Sequence, residues 1–163
     1  MSLIAVRDYA EADKAQFLAV ARDLQSYEVS LYDRMMPVSD IGDWYIAALQ
    51  KMCVEEDGTI LVAEASHEIV GFATIFTRVT QMGEIDEVAF TYAGISHIAV
   101  KSGWRGKGIG KLLLGECERR ARQAGCKWLR LGVLANNGSA RGLYEKLGFH
   151  DHLVIMEKSL ALE

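Results

Sequence analysis

The stretch SGWRGKGIGKLLL, Ser102 to Leu114, decides the reading of this chain. Gly106, Gly108 and Gly110 alternate with other residues directly after the apolar run ISHIAV and directly before a helical pattern. Glycine costs chain entropy and adds nothing to a core, so its repetition implies that bare backbone must approach something closely. A strand feeding a glycine-rich turn that opens a helix aims several amide N–H groups, and the positive end of the helix dipole, at one point. That point attracts phosphate. Arg105, Lys107 and Lys111 add cations whose charge-assisted contacts are worth about 1.5–3 kcal/mol each where well placed.

Outward from this stretch, the apolar spacing Ile109, Leu112, Leu113, Cys117, Ala121 and Ala124 predicts a helix that stops at Gly125. Upstream, residues 3–7 predict a short strand. A helix carrying Phe17, Val20, Ala21, Leu24 and Tyr27 follows, then a second over about 41–54 with Ser39 or Asp40 as its cap. TILVAEA and EIVGFATIFTRV form a predicted hairpin, with Gly71 marking a bulge. Residues 81–93 are predicted to be mostly loop, and GISHIAV a central strand. Downstream come the strand KWLRLGVL, the helix SARGLYEKLG and a closing strand LVIMEKSL. No repeat, low-complexity tract or linker divides the chain.

At 163 residues and 50% hydrophobic content, one domain over 1–163 is expected. A net charge of -4 argues against a basic nucleic-acid surface, and no apolar window is long enough to span a membrane. Cys53, Cys117 and Cys126 show no metal or disulfide spacing, which predicts reduced thiols in a cytoplasmic protein. His150 and His152 lack an evident third ligand, so no metal is expected.

Two common phosphate loops fail. The dinucleotide pattern needs glycine where Lys111 stands, and the P-loop needs Ser or Thr where Leu112 stands and glycine where Arg105 stands. What remains is R-x-x-G-x-G, from Arg105 through Gly108 to Gly110. In the context AVKSGWRGKGIGKLLL it resembles the acyl-CoA pyrophosphate loop of the GNAT superfamily of N-acetyltransferases. A second segment, NNGSARGLYEKLGF, resembles the later motif of that family at Asn137, Ala140, Leu143, Tyr144, Glu145, Lys146, Gly148 and Phe149. The N-terminal third matches in layout alone.

The resemblance implies an α/β (α+β) GNAT fold, a mixed central sheet of about six or seven strands flanked by about four helices. It implies acetyl-CoA as cosubstrate, its pyrophosphate held by backbone from Arg105, Gly106, Lys107, Gly108, Ile109, Gly110 to Lys111, with Asn137 nearby. It further implies pantetheine pairing along Ile98, Ala99 and Val100 as an added strand. Tyr144 matches the tyrosine that donates to the leaving sulfur; the alternative is a core aromatic on an apolar helix face.

Many relatives carry a carboxylate in the fourth strand where this chain has Ser96, with His97 beside it. Neighbouring strand residues face opposite sides, so the base assignment stays open among Ser96, His97, Glu84, Asp86, Glu87, Glu28 and Asp33. Tyr32, Trp44 and Tyr45 fall where this family builds its acceptor pocket, with packing between the first two helices as the favoured alternative, and the acidic loop Glu84, Asp86, Glu87 is either merely solvated or a mouth for a cationic amine. The expected activity is direct acetyl transfer to a primary amine of a small molecule. A protein or peptide acceptor, or a noncatalytic acyl-CoA-binding module, are the alternatives. Resemblance also implies a homodimer.

Overall fold

The computed structural model describes residues 3–81 and 85–160. Strands β1 (Ile4–Asp8), β2 (Gly58–Ala65), β3 (Glu68–Gln81), β4 (Phe90–Val100) and β5 (Leu129–Leu131) form one sheet in that order. All neighbours are antiparallel except β4 and β5, which run parallel. Helices α1 (Lys14–Val29) and α2 (Asp43–Glu55) cover one face; α3 (Ile109–Gln123) and α4 (Gly138–Lys146) cover the other. The expected class is therefore present.

Two helical layers explain why β2 and β3 read as nearly continuous apolar runs. Leu61, Ala63 and Ala65 pack toward α3, while Ile60 and Val62 pack toward α1 and α2. Phe17 in the first turn of α1 packs at a tilt on Phe72 with ring centroids 4.4 Å apart, fixing that end of the helix to β3.

Two bulges set the geometry that matters for function. In the first, Ala63 pairs with Gly71 and Glu64 with Ile69, leaving Val70 as the extra residue. Val70 and Gly71 then both face α3. A Cβ on Gly71 would lie 2.8 Å from the Ala99 carbonyl oxygen, so glycine lets the first turn of α3 settle on the sheet. In the second, Thr74 pairs with His97 and Ile75 with Ile95, leaving Ser96 as the extra residue. Side-chain alternation along β4 is shifted by one there. Ala93 and Ile95 before the bulge face the same side as Ile98 and Val100 after it.

Several expected boundaries move. The loop after β3 contracts because β3 runs to Gln81 and β4 begins at Phe90, where Arg130 lies over the Phe90 and Tyr92 rings. Helix α2 starts at Asp43 with Gly42 as its cap, and Ser39 and Asp40 instead belong to a short 3-10 turn. The expected strand LVIMEKSL is not in the sheet. Residues 149–160 make no ladder with β5, which is only three residues long, and ion pairs such as Arg34–Glu157 and Arg141–Asp151 fix the segment through side chains. Local propensity marks a strand, but a ladder also needs a partner of matching length. The sheet accordingly has five strands among the described residues rather than six or seven.

Candidate active site

The site begins where β5 stops following β4. Pairing covers only Ala93 with Leu129, Gly94 with Arg130 and Ile95 with Leu131, then ends at the Ser96 bulge. From Ser96 to Val100 the outer edge of β4 has no strand partner among the described residues, over roughly 15 Å. The Lys101 amide donates to the Val70 carbonyl at 2.9 Å, so alternation turns Ala99 backbone toward β3 and Ile98 and Val100 backbone toward the open edge. Ala99 itself is buried against the α1 and α2 layer.

At the end of that edge lies the glycine loop. Gly106 and Gly108 take left-handed conformations, with φ of +74° and +82°, and a Cβ on either would meet nothing within 4 Å. They shape the turn and leave its outer surface bare. Amides from Gly106 to Lys111 donate to no group among the described residues, because the first helical bond is Leu112 N–H to the Gly108 carbonyl. Gly110 is different in kind: its Cβ would stand 3.1 Å from Leu143 of α4, so glycine there permits helix packing.

The cations of the loop divide. Arg105 turns inward: its Nε donates to the Val100 carbonyl at 3.0 Å, a terminal nitrogen is 3.5 Å from Asp23, and the guanidinium lies 5.0 Å from the Tyr27 ring centroid. Asp23 also accepts from the Ser102 amide at 2.6 Å, so Arg105 and Asp23 tie the loop to α1 and β4. Lys107 stands 4.5 Å over the Trp104 ring and Lys111 is exposed on the first turn of α3. These two lysines are the cations available beside the bare amides.

Tyr144 projects from α4 into the same region, 8% exposed and edge-on to Phe149 at 5.9 Å. Its hydroxyl makes no hydrogen bond among the described residues. Burial, with a smaller push from the charge of Glu28, raises its pKa to about 12. Asn137 caps α4: its Oδ1 accepts from the Ala140 amide at 3.2 Å and from the Tyr27 hydroxyl at 3.3 Å.

The bulge corrects the expectation that Ser96 and His97 face opposite sides. With Ser96 as the extra residue, both lie on the α1 and α2 side, and Ser96 Oγ is 2.9 Å from His97 Nδ1. The His97 ring packs edge-on against Tyr45 at 5.5 Å, and burial lowers its pKa, which keeps the imidazole neutral. Opposite it, Thr74 is fully buried and its Oγ1 has no partner among the described residues. Sequence reasoning missed Thr74; its signal was a single polar residue inside the buried run GFATIF.

Glu28 ends the core-facing side of α1 and comes close enough to Tyr45 and Tyr144 for its charge to raise both phenol pKa values. Trp44 is half-exposed, donates from Nε1 to the Asp40 carbonyl at 2.6 Å and meets Tyr45 edge-on; Tyr32 lies under Arg34. Asp33 points to solvent beside Arg34. Asp86 and Glu87 are exposed in the β3–β4 connection, which joins β4 at Phe90, the end away from Val100; Glu84 lies outside the described residues. Among the described residues, no group of three or more His, Cys, Asp or Glu could hold a metal ion, and no helix is long and apolar enough to cross a membrane. All three cysteines are free, and Cys117 is buried within α3.

Comparison with known proteins agrees with the fold. Residues 9–149 match the model of the acetyltransferase (GNAT) family. A [ribosomal protein bS18]-alanine N-acetyltransferase of Haemophilus influenzae is 37% identical over 86 residues, 53% of this chain and 51% of that protein. The chain spans about a third to a half of the length of the curated relatives it matches. A mutant of the BH1408 protein from Bacillus halodurans superposes with a TM-score of 0.85 at 19% identity, over 96% of this chain and 99% of that one. The structure of AAC(6')-Iy with the bisubstrate analog CoA-S-monomethyl-acetylneamine superposes with a TM-score of 0.71 at 17% identity, over 98% and 100%.

Proposed function

The chain belongs to the acetyltransferase (GNAT) family, and from that premise we propose that it transfers an acetyl group directly from acetyl-CoA to a primary amine of a small molecule. The observation that carries this reading is an alignment. Amides of residues 106–111, unused among the described residues, stand at one end of the β4 edge that no described strand pairs, and the Tyr144 side chain packs in the same core cluster as Ile95, Ile98 and Val100 of β4. Pyrophosphate suits the amides and the lysines Lys107 and Lys111. Pantetheine suits the Ile98 and Val100 backbone, with the Arg105 side chain leaving the Val100 carbonyl as the arm arrives.

The chemistry follows from what each group can do. A neutral amine attacks the thioester carbonyl carbon, an N–H on the β4 edge steadies the oxyanion, and the C–S bond breaks as the sulfur takes a proton from Tyr144. Tyr144 stays protonated across the physiological range because its pKa is pushed up to about 12. Cys117 is buried in α3, Cys53 packs in the α1 and α2 layer, and the Cys126 thiol donates to the Thr77 carbonyl, which supports direct transfer over an acetyl-cysteine intermediate.

A peptide N-terminus is the second reading, favoured by the relative that acts on ribosomal protein bS18 alanine. A homodimer and a cytoplasmic location go with the same reading; the exposed apolar run Leu153 to Met156 supports the dimer, and sedimentation velocity checks it. The test is CoA release with a panel of alkylamines, polyamines, aminoglycosides, amino acids and alanine-initiated peptides. Turnover confined to small amines supports the proposal, and turnover confined to peptides selects the second reading. Acetyl-CoA binding with no turnover on any amine would instead make this a binding module.

A further inference from the structure

We propose that the Glu28 carboxylate receives the proton that a cationic amine must lose before attack, so that the acceptor of this protein is an alkylammonium compound rather than a weakly basic amine. The inference rests on the acetyl-transfer reading above and adds to it a base and a substrate class.

Its first support is position. Glu28 occupies the last turn of α1, one turn beyond Leu24 and the buried Gln25 on the side that packs against the sheet. Its neighbour Tyr27 reaches Asn137, the cap of the helix that carries Tyr144, so the end of α1 closes directly over the start of α4. Tyr45 of α2 then bridges from this point to His97 on β4.

A second support is the state of the carboxylate. Glu28 is half-buried and its side chain has no hydrogen bond or ion pair among the described residues. Two buried polar side chains of this layer, by contrast, are satisfied: Asp13 by both terminal nitrogens of Arg7 at 2.7 and 2.8 Å, and Gln25 by the Met36 carbonyl at 2.6 Å. A half-buried carboxylate without a partner is costly and therefore uncommon. Burial holds its carboxyl above the usual range, and no cation acts to lower it.

The surroundings complete the argument. Groups facing Glu28 are Tyr45 from α2, Tyr144 from α4 and, through Tyr45, the neutral His97 of β4. The orphaned Thr74 hydroxyl lies across from His97 on the same sheet face. One unpaired negative charge among neutral donors and acceptors suits a primary ammonium ion, whose charge it offsets and whose three N–H donors it and its neighbours can accept.

Protons balance. The ammonium gives one proton to Glu28 and becomes the neutral nucleophile; its nitrogen bonds to the acetyl carbon. The second proton lost from nitrogen replaces the one that Tyr144 gives to sulfur, and Glu28 releases its proton to solvent. Only an acceptor that is protonated in water needs the first step. An alkylamine of pKa near 10 is about a thousandth neutral at pH 7.

The test compares butylamine with trifluoroethylamine, which is already neutral at neutral pH, in the wild-type protein and in Glu28→Gln. For butylamine, kcat/KM should fall at least about 100-fold; for trifluoroethylamine it should fall less than about threefold, with acetyl-CoA affinity by calorimetry unchanged. The acidic limb of the kcat/KM profile, on which activity rises with pH as Glu28 ionises, should vanish in Glu28→Gln and persist in Glu28→Asp. Equal losses on both amines, or a limb that survives in Glu28→Gln, would overturn the assignment alone. No wild-type turnover on any amine of the panel overturns the transfer reading and this assignment with it.

Discussion

Replacing Tyr144 by phenylalanine isolates one proton. In the resting protein the Tyr144 hydroxyl makes no hydrogen bond among the described residues, and the ring itself supplies the contacts with Phe149 and the α3-side core. Tyr144→Phe therefore keeps the buried ring and breaks no bond, so folding free energy should change by less than about 0.5 kcal/mol. Catalysis should change far more. A positioned general acid contributes about 100-fold or more, so kcat should fall by 100- to 1000-fold, or about 2.7–4.1 kcal/mol of barrier. Part of the raised Tyr144 pKa comes from the charge of Glu28, and that part disappears once Glu28 has taken a proton from the amine. The phenol thus becomes a better acid at the stage when sulfur departs. Spectrophotometric thiol release gives kcat, calorimetry gives the acetyl-CoA dissociation constant, and urea melts give stability. A kcat within threefold of wild type would show that Tyr144 is only a core aromatic and would refute the acid assignment.

Two further perturbations separate ligand contacts from packing. Gly108→Ala places a Cβ in open space at φ +82°, so it should fold with a loss of about 1–2 kcal/mol while weakening acetyl-CoA binding tenfold or more; unchanged affinity would remove the loop from the site. Gly110→Val, by contrast, presses on Leu143 and should lose about 1–3 kcal/mol of stability before any effect on binding is read. On α3, hydrogen bonds from Arg119 and Arg120 hold the Glu116 carboxyl down to about 2, below its ordinary 4.5. A depressed carboxyl stabilises the fold above its unfolded pKa and loses that contribution as pH falls through the folded value. Glu116→Gln should accordingly cost on the order of 1 kcal/mol at pH 7 and almost nothing near pH 2, by urea melts at both pH values.

The turn we assign to the donor side was legible as a turn because its residues are constrained by backbone. Glycines at 106 and 108 stand where left-handed φ is required, and the helix opening at Ile109 follows from apolar spacing. Neither depends on distant residues. The acceptor side was obscured by two things that sequence spacing does not carry. The Ser96 bulge shifts alternation by one, so a strict two-residue period assigns Ser96 and His97 to opposite faces when they share one. Arg105 reads as a phosphate ligand from its motif position, yet Asp23, 82 residues away, and the Val100 carbonyl claim it first. The exposed run Leu153 to Met156 shows the converse failure, a strand pattern without a strand to pair with.

The unpaired edge of β4 has a consequence for turnover. If its amides and carbonyls, with the glycine loop, recognise pyrophosphate and pantetheine, they recognise parts that acetylation leaves untouched. Acetyl-CoA and CoA then compete on nearly equal terms, and only contacts near Ser96 and Tyr144 distinguish the charged carrier from the spent one. Such a protein would be slowed by its own product, and its rate in a cell would follow the ratio of acetylated to free carrier more closely than the amount of either.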